Sequence, residues 1–409
     1  MIQSVAIIGA GIAGLTAGCA LRKYGFEVDI FERSDSIAEF GAGITLSKNA
    51  TSLLRYIGLY DELEINSCTP KGSFIRHYKN AKDIAYMEFT GDFITADRRD
   101  VVNIFSDRFA DMGGRLHFGQ AIEAVDLENG RIFLSGGSNH KADIVFVCDG
   151  IKSTIREKEF DNREPSFTNY IAWRGVVDKS DLPIFSGNDE VNIYHGPGGH
   201  VVHYPIGHQD KINFIAIETK ESWEEESWKR EGDKKDLLLA FEGWNKNIQE
   251  LFSSADKVYK WGVFDRAVPE QLSKGRVFLL GDAAHPMVPF LGQGGCMAIE
   301  DSFTMAYLVN NLKDDLPSIR DFYHALRLSR VRSIKKRSNF QGTFNHFSNP
   351  FLMVLRNFMV KLFIKPNVSN LHSYDALNEI SKALKGGYFL LLCILAINLL
   401  FKLKTKSCC

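Results

Sequence analysis

The residues whose types and spacing most clearly indicate a binding site lie near the start of the chain, in the run Gly9-Ala10-Gly11-Ile12-Ala13-Gly14. The run follows an apolar segment, Ser4–Ile8, and precedes a helical pattern, so it forms a turn between a strand and a helix. There the first glycine permits a tight turn, the second lets a pyrophosphate approach the backbone, and the third allows close packing. Glu32, at the end of the next strand, can accept a hydrogen bond from a ribose hydroxyl. The pattern predicts a dinucleotide site without separating NAD from FAD.

Secondary-structure patterns around this run predict an α/β chain. Strand Ser4–Ile8, helix Leu15–Tyr24 and strand Val28–Glu32 form a β-α-β unit. The later segments Ile144–Cys148 and Val277–Leu280 are again predicted to be buried strands of an α/β region. Between residues 165 and 265, short β-like runs alternate with Gly, Pro and Asp turns, which indicates a separate, largely antiparallel layer.

Two further segments carry acidic residues directly after buried strands. The first reads from Ala142 to Asp149-Gly150, and the second reads from Gly275 through Asp282 to Pro286 and continues into Gly292-Gln293-Gly294-Gly295-Cys296. Together with the first glycine run they resemble the flavoprotein monooxygenases that include salicylate, p-hydroxybenzoate and urate hydroxylases, zeaxanthin epoxidase and the ubiquinone-biosynthesis hydroxylases. The resemblance extends to about residue 376. It implies a Rossmann-like FAD-binding fold of the p-hydroxybenzoate-hydroxylase type, with an inserted antiparallel β-sheet substrate layer and a helical C-terminal region.

The resemblance also implies how FAD is held. Asp282 would bind a ribitol hydroxyl, and the helix from Cys296 would direct N–H groups at the flavin edge, where reduced flavin is anionic. Arg98 takes the place of an arginine that contacts FAD, with Arg99 as the alternative one residue on. His285 either orients its turn or contacts pyrophosphate. The expected cofactor contacts are Gly9, Gly11, Ala13, Gly14, Glu32, Arg33, Gly43, Arg98, Ile122, Asp149, Gly150, Asp282, Pro289, Gly292, Gly294, Gly295 and Cys296.

The activity implied by the resemblance is hydroxylation or epoxidation with NAD(P)H and O2, through a C4a-hydroperoxyflavin. His200 and Arg174 are the candidate catalytic residues, although the sequence assigns no base. In urate-hydroxylase-like members an arginine takes the place of His200. Strand alternation puts His200 and Val202 on one face and His203 on the other. The seven cysteines include no C-x-x-C pair, so no metal site is expected.

The end of the chain has a distinct composition. From Arg320 onward there are 15 Lys/Arg and 3 Asp/Glu, and the run Tyr388–Phe401 is apolar except for Asn398. A basic stretch favours an anionic surface, and the apolar run favours a membrane over nucleic acid. We therefore expect a membrane-associated protein whose catalytic domain is cytoplasmic and whose substrate is a lipophilic aromatic, quinone or isoprenoid compound. The alternative is a C-terminal helix that packs on the globule.

These features predict the following organisation: a first FAD-binding segment at 1–164, with substrate-layer strands near 65–95; a β-rich substrate layer at 165–265; a second FAD-binding segment with helices at 266–345; a basic amphipathic helical segment at 346–380; and a hydrophobic anchoring tail at 381–409. Three other functions stay open: a hydroxylase of soluble, salicylate-like substrates, an FAD-dependent reductase or dehydrogenase without oxygen insertion, and a non-catalytic flavin-binding redox interaction protein.

Overall fold

A computed structural model of the chain describes residues 1–37, 43–185, 187, 189–207, 210–223 and 230–386, with the backbone alone for 363–370. The strands are β1 (Ser4–Ile8), β2 (Glu27–Phe31), β3 (Gly43–Leu46), β4 (Gly72–His77), β5 (Asp83–Glu88), β6 (Ile94–Asp97), β7 (Arg115–His117), β8 (Ile122–Asp126), β9 (Arg131–Leu134), β10 (Asn139–Lys141), β11 (Ile144–Val147), β12 (Ser166–Asp178), β13 (Val191–Gly196), β14 (Gly199–Ile206), β15 (Lys211–Thr219), β16 (Glu231–Gly232), β17 (Val258–Asp265), β18 (Ser273–Lys274) and β19 (Val277–Leu279). The helices are α1 (Ile12–Lys23), α2 (Lys48–Ile57), α3 (Tyr60–Ile65), α4 (Arg98–Asp111), α5 (Thr154–Glu159), α6 (Lys234–Ala240), α7 (Lys246–Ser253), α8 (Gly294–Asn311), α9 (Leu316–Asn345) and α10 (Pro350–His372). Residues 376–386 are also helical.

A six-stranded sheet in the order β18-β19-β11-β1-β2-β7 forms the nucleotide-binding region. Strands β19, β11, β1, β2 and β7 are mutually parallel, and β18 is antiparallel to β19. The central strands are buried on both faces, as their nearly continuous apolar sequences require. Because the carboxyl ends of parallel strands meet at one edge, the turns that follow β1, β2, β11 and β19 lie side by side. That edge carries the first glycine run and the acidic residues singled out from the sequence.

An eight-stranded sheet in the order β16-β17-β12-β15-β14-β13-β4-β5 forms the second layer. Strands β4 and β5 come from the first quarter of the chain and join through parallel pairing of β4 with β13. One face packs against α6 and α7 in a cluster that contains Trp173, Phe214 and Phe252. The opposite face carries Ala172, Ile217 and their neighbours, which pack against the loop that precedes α8. This second face therefore looks toward the nucleotide-binding region.

The predicted membrane association is wrong, because no helix of the described residues is both long and apolar enough to cross a membrane. The predicted anchoring tail covers residues 381–409, and its part from residue 387 onward lies outside the described residues. The preceding helix α10 also differs from a basic amphipathic helix. Its Arg356 is 0% exposed, whereas Phe351 and Val354 are 75% and 69% exposed. The arginine points into the protein because it binds backbone carbonyls there, as described below.

Candidate FAD and substrate site

The first glycine run forms the turn between β1 and α1 that its sequence predicts. Gly9 has φ +102°, and a β-carbon there would lie 2.5 Å from the carbonyl oxygen of Cys148. A β-carbon on Gly14 would overlap the carbonyl oxygen of Gly9. Gly11 differs, because a β-carbon there would meet no described protein atom within 4 Å. Gly11 also precedes the first residue of α1 and provides no side-chain cap. The turn is closed against the protein and open in front of the helix N-terminus, as a pyrophosphate site requires.

Glu32 follows β2 and turns its carboxylate toward this turn. Its oxygens accept hydrogen bonds from the backbone N–H groups of Ala10 and Ser34, each at 2.9 Å. The carbonyl of Glu32 accepts from the N–H of Gln120, which places Ile122 and the start of β8 two residues away. Arg33 is exposed beside this carboxylate. These residues form the side of the site expected for the ribose and adenine.

Asp149 and Gly150 follow β11 at the same edge. Burial raises the pKa of Asp149 to about 6, and hydrogen bonding with Ser153 and the charge of Arg33 oppose that rise. The Asp149 Oδ1 atom is buried without a hydrogen-bond partner among the described residues. Gly150 has φ +83°, and no described atom would contact a β-carbon there. A buried acceptor beside open backbone suits a hydroxyl-bearing ligand.

The third motif, the segment from Gly275 to Cys296, meets the first motif, the glycine run from Gly9 to Gly14. A β-carbon on Gly281 would lie 3.0 Å from the Cβ of Ala13 and 3.3 Å from the Cβ of Ala298. The hydroxyl of Ser302, on α8, donates to the carbonyl of Ala13 at 2.8 Å. The helices that follow the two motifs therefore pack directly on each other, and Asp282 lies next to the first glycine turn. This arrangement can enclose one extended dinucleotide.

Asp282 is paired electrostatically with Arg98. Burial raises the pKa of Asp282, and the positive charge of Arg98 opposes this shift. Arg99 is exposed and binds Asp97, its own helix cap, through a guanidinium nitrogen 2.7 Å from the carboxylate. Of the two arginines considered from the sequence, Arg98 is therefore the one that lies beside the predicted ribitol-binding carboxylate.

The N-terminus of α8 is left open. Gln293 precedes the helix without a side-chain cap, and a β-carbon on Gly294 would meet no described atom within 4 Å. Gly292 has φ +62° and ends the short turn that starts at the exposed Pro289. A β-carbon on Gly295 would lie 2.8 Å from Ile44. The free N–H groups of this helix end suit the electron-rich edge of a flavin.

Cys296 has a different role from the glycines before it. Its side chain is fully buried, and its sulfur accepts a hydrogen bond from the backbone N–H of Ser47 at 3.5 Å. The thiol therefore ties α8 to the residues after β3, and only the backbone N–H of Cys296 faces the helix end. Gly43 starts β3, and its N–H donates to Asn213 Oδ1 at 2.8 Å. This bond joins the start of β3 to the eight-stranded sheet.

A buried polar network behind α8 was not predicted from the sequence. His285 Nε2 lies 2.5 Å from Asp301 Oδ2, and the N–H of Gly281 donates to the same carboxylate oxygen at 2.9 Å. Arg327 bridges Asp301 and Glu300 at 2.6 and 2.7 Å. Burial would raise the pKa of Asp301, but His285 and Arg327 hold it below its ordinary value. His285 therefore orients the turn at Gly281, which is one of the two roles considered for it.

The sheet face toward the nucleotide-binding region carries both candidate catalytic residues. Paired positions place His200 beside Ile217 and Arg174 beside Ile215, on neighbouring rows of the same face. From the spacing of strands, the Cα atoms of His200 and Arg174 lie about 10–12 Å apart. His200 is 3% exposed and Arg174 is 8% exposed. His203 lies on the opposite face, as predicted.

Aromatic side chains surround this face. Phe290, next to Pro289, has its ring centroid 5.9 Å from that of His200 and 5.1 Å from that of Tyr170. The guanidinium of Arg174 lies 5.6 Å from the ring centroid of Trp261. The result is an apolar floor of isoleucines between two polar ends, below the loop that leads to α8.

Comparisons with known proteins identify the family. Residues 3–338 match the family described as FAD binding domain. The chain is 32% identical over 348 residues to 3-amino-4-hydroxybenzoate 2-monooxygenase of Streptomyces platensis, with 83% of this chain and 87% of that protein covered. It is 30% identical over 357 residues to 3-hydroxybenzoate 6-hydroxylase of Polaromonas naphthalenivorans, with 84% and 88% covered.

Solved structures show the same fold. A salicylate hydroxylase substrate complex superposes with a TM-score of 0.80 at 24% identity, covering 93% of this chain and 97% of that chain. Klebsiella pneumoniae HpxO with FAD and uric acid gives a TM-score of 0.77 at 22% identity, covering 93% and 95%. The predicted fold class is thus confirmed. The chain belongs to the FAD-binding-domain family, and within it to the FAD-dependent aromatic hydroxylases and monooxygenases.

Proposed function

We propose that this protein hydroxylates a small aromatic acid that carries a ring hydroxyl or amino group, with NAD(P)H as reductant and O2 as oxidant. When bound, FAD supplies the redox and oxygen chemistry, and the protein supplies binding, orientation and a dry pocket. The observation that carries the proposal is the apolar floor of Ile215 and Ile217, with His200 at one end and Arg174 at the other. A lipophilic substrate is not proposed, because that expectation depended on the predicted membrane attachment.

FAD would lie along the edge where the first and third motifs meet. Gly11 and the N-terminus of α1 would hold the pyrophosphate, Gly14 would let that helix pack closely on the turn, and Glu32 would hold the ribose. Arg98 and Asp282 would hold the ribitol chain, and Gly294 and its neighbours would hold the ring at α8. Two observations on the described residues support this assignment: Asp149 Oδ1 is buried without a hydrogen-bond partner among them, and none of their atoms would contact a β-carbon on Gly11.

The sheet face would bind the substrate in a fixed orientation. Arg174 is suited to a carboxylate, because a guanidinium pairs with it in a bidentate geometry. His200 would accept a proton from the ring hydroxyl at the other end, and the isoleucines would contact the ring. Relatives whose names specify hydroxybenzoate substrates support this class. Proton removal makes the ring more electron-rich and thus more reactive toward an electrophilic oxygen.

The test is turnover by the full chain with FAD, NADH or NADPH, labelled O2 and a panel of hydroxy- and aminobenzoates. We expect substrate-stimulated NAD(P)H oxidation and one labelled oxygen atom in the product. Arg174→Gln should raise KM for a carboxylate substrate by about 10-fold or more, since a charged hydrogen-bond pair contributes about 1.5–3 kcal/mol. The amide that corresponds to the same substrate carries no negative charge, so its KM should be similar for the wild type and for Arg174→Gln. If NAD(P)H is oxidised and the substrate is reduced, with no labelled oxygen in the product, the protein is instead a reductase.

A further inference from the structure

A buried histidine pair lies behind the proposed substrate position. His200 Nδ1 is 2.8 Å from His346 Nε2, and both rings are buried. Burial lowers the pKa of His200 well below its ordinary value and that of His346 to about 4, so both rings are neutral near pH 7. Between two neutral imidazoles, one nitrogen donates the shared proton and the other accepts it. The direction of this hydrogen bond decides which nitrogen of His200 remains a base.

The position of His346 is fixed from several sides. It follows the last residue of α9, and its ring centroid lies 4.5 Å from that of Tyr170 and 5.4 Å from that of Phe290. Arg356, on α10, donates to the carbonyl of Asn345 at 2.7 Å and to that of Gly196 at 3.2 Å. Because Gly196 ends β13 beside β14, the arginine ties the end of α9 to the hairpin that carries His200. This explains why a helical arginine is buried.

The surroundings favour one direction for the shared proton. The charged and titratable groups that act on His200 are His346, His195 on β13 and Arg356 on α10. The carbonyl of Gly342 accepts from the backbone N–H of His346 at 3.3 Å and raises the pKa of the His346 ring. The Nδ1 atom of that ring is buried and has no hydrogen-bond partner among the described residues. A carbonyl only accepts hydrogen bonds, so it favours the proton on His346 Nδ1 and leaves His346 Nε2 as an acceptor.

We infer that His346 is a positioning residue that holds the proton of His200 on Nδ1 and leaves Nε2 of His200 as the base for substrate. The inference rests on the proposed function and goes beyond it. In the step that follows, the substrate O–H bond breaks, the proton moves to His200 Nε2, and the electron pair stays on the substrate oxygen. The resulting imidazolium of His200 donates its Nδ1–H to His346 Nε2, and this hydrogen bond stabilises the positive charge. Other enzymes likewise use a second group that hydrogen-bonds the catalytic base and orients it.

The direct test is the tautomer of His200 in the FAD-loaded protein labelled with 15N-histidine, read by two-bond 1H–15N correlation spectra at pH 7.5. His200→Gln assigns the resonances. The wild type should show a protonated Nδ1 and an unprotonated Nε2 on His200. His346→Phe should lose this preference, and His346→Gln, whose amide oxygen can accept, should keep it. His203→Phe, on the opposite face, should leave the spectrum of His200 unchanged. A protonated Nε2 in the wild type overturns the inference, whether or not any variant folds.

Kinetics provide the second readout. At pH 7, His346→Phe should lower kcat about 10-fold with KM within twofold, and kcat should recover as the pH approaches the pKa of the free substrate hydroxyl. His346→Gln should retain most of the wild-type rate and pH profile. A His346→Phe profile identical to the wild type contradicts the inference and leaves the proposed function intact. A wild type that hydroxylates no aromatic acid contradicts the proposed function, and the tautomer measurement still decides the role of His346.

Discussion

A β-carbon on Gly281 would lie 3.0 Å from the Cβ of Ala13, although one residue belongs to the third motif and the other to the first. Gly281 also has φ +58°, which an L-side chain adopts at a cost. The contact brings Asp282 next to the turn that starts at Gly9. The site therefore depends on two distant segments of the sequence meeting at a position without a side chain.

Gly281→Ala should destabilise the protein and weaken FAD binding together. The left-handed backbone costs about 1–2 kcal/mol, and crowding against Ala13 adds about 1–3 kcal/mol. Gly137→Ala is the matched control, because Gly137 has φ +81° and open space around it. Thermal unfolding with and without FAD measures both effects. Equal losses in the two variants would show that the contact with Ala13 has no energetic consequence.

Arg98 and Arg99 should differ in their effect on FAD binding. Arg98→Ala removes the charge beside Asp282, and we expect FAD affinity to fall about 10-fold, as for loss of a charge-assisted hydrogen bond. Arg99→Ala removes a half-exposed pair with Asp97 and should change FAD affinity less than twofold. Fluorescence titration of the apoprotein with FAD compares them. The opposite ranking would assign the cofactor contact to Arg99.

The buried histidines should make the protein labile to acid. Burial lowers the pKa of His203 to about 3, and that of an unfolded histidine is about 6.5. Between these values the unfolded state binds a proton that the folded state does not, so stability falls as the pH falls. From pH 7 to pH 5 one such histidine removes about 2 kcal/mol.

His203→Phe isolates this effect, because His203 packs between Phe185 and Tyr194 and has a buried Nε2 without a partner among the described residues. The variant should lose about 2 kcal/mol less stability than the wild type between pH 7 and pH 5. Urea unfolding at the two pH values measures the difference. An unchanged pH dependence would mean that His203 is not neutral in the folded state at pH 5.

The sequence predicted those regions of the fold that depend on local pattern. The first β-α-β unit was predicted within about three residues of its observed bounds, because strand and helix periodicities and the glycine turn agree there. Pairings between distant segments were not predicted. Nothing local to β4 indicates its parallel pairing with β13, and nothing local to His346 indicates its contact with His200.

The C-terminal region shows how composition misled. Arg356 lies in the segment 346–380, which was predicted to be a basic amphipathic helix, and such a helix would carry its arginine on a charged surface. Its actual partners are the carbonyls of Gly196 and Asn345, and only the tertiary structure brings the first of these within reach. A buried arginine with backbone partners has the same local sequence as an exposed one, because the partners are distant in the chain.

The most direct test of cofactor binding at the first glycine turn is FAD titration of Gly11→Val, since a side chain at Gly11 would meet no described protein atom at its β-carbon. We predict an apoprotein with wild-type thermal stability that binds FAD at least about 10-fold more weakly, because the new side chain occupies the pyrophosphate position. Wild-type FAD affinity in this variant would contradict the claim that the first glycine turn holds the cofactor.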